Sequence, residues 1–165
     1  MGQLFTPPLG LHFIVFFQPG FPPDMVLYPG IPDISFQEVS GMDITFGTEE
    51  YQEGGENRFK HKLMGIPSYS NLSLKRGMLI GSAGIQWFAE QLESFRAKPV
   101  DVIVILLNGS HLPLQAWNFI NAWPVSWKFD SLDAQNGKVF IETIELSYQY
   151  YKRLDPVAAA AELIL

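Results

Sequence analysis

Residues Met42–Gly77 read MDITFGTEEYQEGGENRFKHKLMGIPSYSNLSLKRG. Most of this stretch alternates. Met42, Ile44, Phe46 and Thr48 stand against Asp43, Thr45, Gly47 and Glu49. Phe59, His61 and Leu63 stand against Arg58, Lys60 and Lys62, and Leu72 and Leu74 against Asn71, Ser73 and Lys75. A period of two means half-buried strands in antiparallel sheets, because successive side chains leave opposite faces of a strand. The spacing predicts strands over Met42–Glu50, Asn57–Met64 and Tyr69–Gly77. Gly65-Ile66-Pro67-Ser68 reads as the turn between the last two.

Upstream, Leu11–Gln18 (LHFIVFFQ) and Ile34–Gly41 are further strand candidates, the first rich in aromatic and β-branched residues. Seven of the twelve prolines precede Asp33. Pro19–Asp33 (PGFPPDMVLYPGIPD) is therefore expected to be a long surface loop, since each proline removes a donor and restricts its neighbour.

Downstream the period changes. Ile85, Phe88, Ala89, Leu92 and Phe95 follow helical spacing, with Ser82 as N-cap and Pro99 as stop, which predicts one helix over Ser82–Ala97. Trp87 lies about opposite that stripe, under a loop or as an outward contact for another chain. Val100–Leu107 (VDVIVILL) is apolar on both faces apart from Asp101 and reads as a doubly covered central strand. Asn108-Gly109 is a turn signal. Leu114–Phe129 carries three of the four tryptophans and is expected to break at Pro124 into two strand pieces. Lys138–Tyr150 is the last long strand, with Glu142 on one face and Glu145 on the other. Each glutamate sits beside apolar residues, which is costly unless it is paired, at a rim, or buried against another subunit with a cationic partner. The tail Asp155–Leu165 (DPVAAAAELIL) has an Asp cap, a Pro in the first helical position and an alanine run, so it docks as a short helix or frays.

Composition bounds the function. The 165 residues predict one domain, with a core over about 10–150 and a tail over 151–165. Hydrophobic residues make up 47% and charged residues only 17%, which argues against bulk disorder and means that the surface is short of charge or that much of it is covered. A net charge of −6 argues against a specific nucleic-acid site, which needs clustered Lys and Arg. There is no cysteine, which excludes disulfides, zinc–thiolate sites and a Cys nucleophile. No apolar run is long enough for a membrane anchor, and no signal peptide is expected.

No catalytic constellation is visible. His12, His61 and His111 are far apart and lack HxH or HxxxH spacing, so no metal site is expected. GxSxG, Walker A and GxGxxG patterns are absent, so neither enzyme activity nor a cofactor is expected. The most specific feature is Glu49–Asn57 (EEYQEGGEN), where four glutamates surround Gly54-Gly55 and Arg58, Lys60 and Lys62 follow at strand spacing. It reads as a solvated bent hairpin, or as an acidic loop that meets the basic strand of a neighbouring copy; its ligand order rules out an EF-hand.

These residues resemble the tube proteins of contractile phage tails and related extracellular contractile injection systems. The likeness is carried by VSGM at Val39–Met42, EEYQEGGENRFKHKLMG at Glu49–Gly65, YSNLSLKRG at Tyr69–Gly77, the helix with Trp87, WNFINAWPVSW at Trp117–Trp127 and LDAQNGKVFIETIEL at Leu132–Leu146. The resemblance implies a mostly β, α+β fold: an antiparallel β-sandwich or rolled sheet with one flanking helix. It further implies homohexameric rings that stack into the inner tube which a contracting sheath drives through a target envelope. Its partners would be other copies, sheath, baseplate or tube-initiator and terminator proteins, with cargo or DNA passing through the lumen. Assembly would take place in the bacterial cytoplasm, within a particle that is released or stays attached to host or membrane. On this likeness Glu49, Glu50, Tyr51, Glu53, Gly54, Gly55, Glu56, Asn57, Arg58, Lys60 and Lys62 form the subunit interface, and Trp87 faces the sheath. The proline-rich loop and the tail depart from a minimal family member and mark either a specialised tube, such as a baseplate-proximal initiator ring, or a lumen- or sheath-facing elaboration. A small ligand-binding β-barrel is the reading from a different class.

Overall fold

The computed structural model describes residues 11–18, 33–77, 83–130 and 141–159. In chain order the elements are β1 (His12–Gln18), β2 (Asp33–Ser40), β3 (Ile44–Tyr51), β4 (His61–Tyr69), β5 (Leu72–Gly77), α1 (Ala83–Ser94), β6 (Val100–Leu107), β7 (Pro113–Phe129), β8 (Ile141–Ser147) and β9 (Tyr150–Leu154). The fold is mostly β, antiparallel throughout, with one flanking helix of three turns. The region 19–32, expected to be a loop, lies outside the described residues.

Antiparallel pairing in the order β6-β1-β2-β5-β8-β7 closes on itself, because β7 also pairs with β6. The rolled sheet is thus a six-stranded barrel. β7 makes this possible by its length of 17 residues: its first half lies against β6 and its second against β8. Pro124 does not break it. The chain bends there, with Asn121 in the left-handed region (φ 51°) and a register shift between Pro124 and Ser126, and then continues as one strand. The Asp101 carboxylate accepts a hydrogen bond from the Asn121 N–H at 2.9 Å and steadies that bend. β9, part of which fell in the expected tail, continues the line of β8 along β7, from Trp123 opposite Ser147 to Ile120 opposite Tyr150.

The barrel interior is filled by Val15, Leu72, Leu74, Val102, Val104, Phe119, Ile144 and Leu146, all buried. α1 closes one side through Phe88, whose ring meets Trp127 edge-on at 5.3 Å. Burial of a Phe side chain contributes about 1.5–3 kcal/mol, so Phe88 anchors the helix to the barrel. Leu92 and Phe95 of the expected apolar stripe depart from that role. Leu92 is partly exposed and Phe95 is 94% exposed, because the helix ends at Ser94 and Phe95 turns left-handed (φ 52°). Gln91 turns inward instead, and its Oε1 accepts the Lys98 N–H at 2.8 Å. Such a left-handed residue is a common helix ending, and it swings the side chain off the helical face.

β6 is covered on both faces, as its composition predicts. Val102 and Val104 point inward, while Ile103, Ile105 and Leu107 share a second cluster with Phe16, Ala116 and Ala159. Ala159 belongs to the helical turn 156–159, which Asp155 caps by accepting the N–H groups of Val157 and Ala158. The start of the tail therefore docks.

The two glutamates of β8 are paired within the chain rather than held for another subunit. Glu142 is buried and accepts hydrogen bonds from Arg76 Nε, also fully buried, and from Trp127 Nε1 at 3.2 Å. Glu145, on the other face, meets Lys128 Nζ at 2.6 Å. Arg76 follows Leu72 and Leu74 on the inward face of β5, where alternation places it.

Candidate assembly interface

β3 and β4 form a separate two-stranded ribbon, an arm whose strands, among the described residues, pair only with each other. Every residue of β3 is exposed. The arm leaves the barrel at Gly41–Asp43 and returns at Tyr69–Asn71, and its root is tightly bonded. The Gly41 carbonyl accepts from Ser70 Oγ at 3.0 Å and from the Tyr148 hydroxyl at 3.3 Å. The Met42 carbonyl accepts from the Tyr151 hydroxyl at 3.0 Å. Asp43 N–H donates to Ser70 Oγ at 3.2 Å, and Ser70 N–H donates to the Asp43 carbonyl at 3.2 Å. The rings of Tyr69, Tyr148, Tyr151 and Phe119 pack edge-on or tilted around this root at 4.9–6.2 Å. Burial, and then the neighbouring Tyr151, Tyr69 and Asp43, push the Tyr148 phenol up to about 12.

Along the arm the register runs from Ile44 opposite Tyr69 to Tyr51 opposite His61. The expected turn at Gly65–Ser68 is strand: Pro67 sits opposite Phe46 and β4 continues to Tyr69. A two-stranded ribbon is all edge, so a proline whose nitrogen faces away from the partner costs no ladder bond. The two glycines mark a bulge instead. The register shifts between Phe46 and Thr48, and a Cβ on Gly65 would lie 2.9 Å from the Gly47 carbonyl oxygen.

Alternation along this register gives the arm two faces. One carries Ile44, Phe46, Thr48, Glu50, Lys62 and Met64; the other carries Glu49, Tyr51, His61 and Leu63. Met64 is 75% and the neighbouring Ile66 88% exposed, and Phe46, Tyr51, Phe59 and Leu63 are at least half exposed. Alternation predicted that Phe46, Phe59 and Leu63 would be half-buried, and the structure leaves them exposed because no other described sheet packs on the arm; Met64 and Ile66 were not among the sequence-derived interface residues.

At the tip, Glu53-Gly54-Gly55-Glu56 is a turn closed by Glu56 N–H to the Glu53 carbonyl at 3.2 Å, with Gly55 left-handed (φ 101°). Much of the charge is consumed within the chain. Arg58 donates from Nε and Nη2 to the two oxygens of Glu56, both at 2.9 Å. That pairing, with the Arg58 N–H, holds the Glu56 carboxyl below its usual range and raises the guanidinium. Lys60 meets Glu50 at 3.1 Å, and His61 approaches Glu53 at 3.8 Å. Glu49 and Lys62 make no ion pair among the described residues. Asn57 links the turn to Arg58. The side chain of Trp87 lies outside the described residues.

The sequence model of the T4-like virus tail tube protein gp19 matches residues 11–152. The chain belongs to this tail tube family. It is 31% identical to a chain in the structure of the anti-feeding prophage (AFP) baseplate, over 92% of this chain and 97% of that one, with a TM-score of 0.76. A chain of the sheath–tube complex of the extracellular contractile injection system PVC, in its extended state, is 25% identical over 92% and 93%, with a TM-score of 0.69. An Hcp protein shares the fold alone, at 12% identity over 89% and 94% with a TM-score of 0.57. No curated protein sequence matches. This tail tube protein is a structural tube subunit, a component of a phage tail or contractile injection particle. No described helix is long and apolar enough to cross a membrane.

Proposed function

We propose that copies of this tail tube protein close into hexameric rings and stack into the inner tube of a contractile particle, with the β3–β4 arm as the main inter-subunit contact. One observation carries this reading: an arm of eight and nine residues per strand exposes Phe46, Met64 and Ile66 and has no partner sheet among the described residues. A lone two-stranded ribbon is marginal in water, and an exposed edge is a liability unless another chain covers it. An arm that reaches a different surface of the next copy makes a heterologous contact, which closes rings or grows filaments. In this reading Glu49, Tyr51, Gly54, Gly55 and Lys62 meet the neighbour directly. The ion pairs of Glu50, Glu56, Arg58 and Lys60 shape the arm. α1, with Trp87, faces a sheath protein. Assembly takes place in the cytoplasm, on a baseplate and up to a terminator, around a lumen for cargo or DNA.

A second reading, a baseplate-proximal initiator ring, is favoured by the 31% identity to a chain of the AFP baseplate, against 25% to one of the PVC sheath–tube complex. Light scattering with negative-stain microscopy tests assembly: rings or tubes are expected. A strict monomer at high concentration, unchanged by added baseplate proteins, would sink the tube reading. Labelling the chain in whole particles separates the two roles, since a main tube stains along its length and an initiator at one terminal focus.

A further inference from the structure

Two of the three histidines, 99 residues apart in the chain, meet at one end of the barrel: His12 Nε2 lies 2.9 Å from His111 Nδ1. His12 opens β1, opposite Leu107 at the end of β6, and His111 sits in the tight connection from β6 to β7. That connection is built to hold its shape. Asn108 Oδ1 accepts the N–H groups of Ser110 and Leu112, each at 2.9 Å, and the Asn108 carbonyl accepts the His111 N–H at 3.0 Å. His111 itself is left-handed (φ 60°), a conformation that Gly or Asn would adopt at less cost. Strain of this kind persists where surrounding bonds over-determine it, and it concentrates at functional positions. Here its effect is to aim one imidazole at another.

The geometry fits convergence on a shared point. Two imidazole nitrogens bound to one metal at about 2.05 Å, at a right angle, lie about 2.9 Å apart with ring centres about 4.5 Å apart. The same nitrogens in a straight N–H···N hydrogen bond would put the ring centres about 5.2 Å apart. The observed ring centres are 4.7 Å apart, with the planes at 73°. We propose that His12 and His111 form a two-point chelate for a borderline divalent transition-metal cation, Cu²⁺ above all. Imidazole suits such ions, right-angled nitrogen ligands suit the tetragonal preference of Cu²⁺, and Cu²⁺ heads the affinity order for nitrogen sites. Among the described residues no group of three or more His, Asp or Glu could hold a metal, so those residues supply two ligands of the proposed site. In the metal-binding form each neutral ring presents the lone pair of its facing nitrogen and carries its one proton on the remote nitrogen.

The test is titration of tag-free, metal-stripped full-length protein with Cu²⁺, followed by calorimetry and electron paramagnetic resonance. The expected result is one Cu²⁺ per chain with splitting from two nitrogens. Affinity should fall at least about tenfold in His12→Gln and in His111→Asn, and the double variant should bind no more weakly than either single one. Asn is chosen at 111 because it tolerates the left-handed backbone. His61→Ala, which removes the histidine beside Glu53, should bind as the parent does. Unchanged affinity in His12→Gln and His111→Asn, loss in His61→Ala, or no stoichiometric uptake would each reduce the pair to a hydrogen bond and overturn the proposal. If either variant fails to fold by circular dichroism, the parent spectrum decides: a two-nitrogen pattern supports the chelate and a one-nitrogen pattern refutes it.

Discussion

The hydroxyl of Tyr151 donates a 3.0 Å hydrogen bond to the carbonyl of Met42, 109 residues away and two residues before the arm begins. The last strand of the chain thereby fixes the direction in which the arm leaves the barrel. Tyr151→Phe keeps the ring but removes the donor. Unfolding in urea should show a loss of about 1 kcal/mol. Sedimentation should show a larger loss of assembly than that figure accounts for, since the arm's angle loosens. Full assembly in this variant would mean that the bond does not set the arm.

Tyr148 makes the protein's stability sensitive to alkali. Its phenol ionises near 12 in the folded chain, above the ordinary value of about 10. The folded state therefore holds the proton more tightly than the unfolded state does. The associated stability is fully present below pH ~10 and is lost as the pH rises through about 12. Ultraviolet difference titration should show one late-ionising tyrosine, absent from Tyr148→Phe, and the decline in melting temperature above pH ~10 should be shallower in that variant.

Gly41 permits no side chain. Its φ is +82°, and a Cβ would stand 1.8 Å from the Asn71 carbonyl oxygen, which is backbone and has no room to move. Gly41→Ala should cost more than ~3 kcal/mol or prevent folding. Gly54→Ala is the contrast, because nothing lies within 4 Å of its would-be Cβ. It should fold as the parent does, and a thermal melt of the two variants side by side decides.

The buried Arg76–Glu142 pair joins two strands, 66 residues apart in the chain, across the barrel wall. Arg76→Met strands a carboxylate inside the core and should cost about 3–5 kcal/mol. Adding Glu142→Gln should restore a substantial part of that loss, because the neutral amide oxygen still accepts from Trp127 Nε1. Equal instability of the single and double variants in denaturant would show that the charge is not the cause.

On the arm, Met64→Asp with Ile66→Asp changes two side chains that touch solvent in the free chain. Monomer stability should move by no more than ~0.5 kcal/mol, while rings and tubes should disappear in light scattering and microscopy. Assembly at the parent's level would show that this apolar face is not the contact.

Much of this was legible in the residues. Period-two runs marked β3 and β5 to within a few positions, aromatic and β-branched content marked β1, Ile34–Gly41 was a further candidate that matches β2, and VDVIVILL marked β6 as buried on both sides. The Asp155-Pro156 start marked the docked turn. Errors arose where a local signal competed with a distant one. Gly65 and Pro67 carry turn chemistry, yet they sit mid-strand because no second described strand lies beside β4 to call for the donor that proline lacks. Pro124 bends β7 without ending it, since ladder bonds to β8 resume beyond the shift. The helical stripe placed Phe95 inside, but the helix stops one residue short of it.

The arm shows the same division. Its charges are conspicuous in the sequence and read as complementary surfaces for two different copies. Folding brings Glu56 to Arg58 and Glu50 to Lys60 in one chain, and exposed apolar side chains stand beside these paired charges. Residue order sufficed to show that the chain is built of antiparallel strands with one helix, carries little charge and belongs with the tail tube proteins, because periodicity and motif spacing are properties of the chain alone. Barrel closure through β7, the inward pairing of Arg76 with Glu142, the tyrosine-bonded root of the arm and the meeting of His12 with His111 required the fold. Alternation shows that a strand has two faces; which distant residue covers each face depends on contacts between segments 60 to 110 residues apart, and no local pattern encodes those.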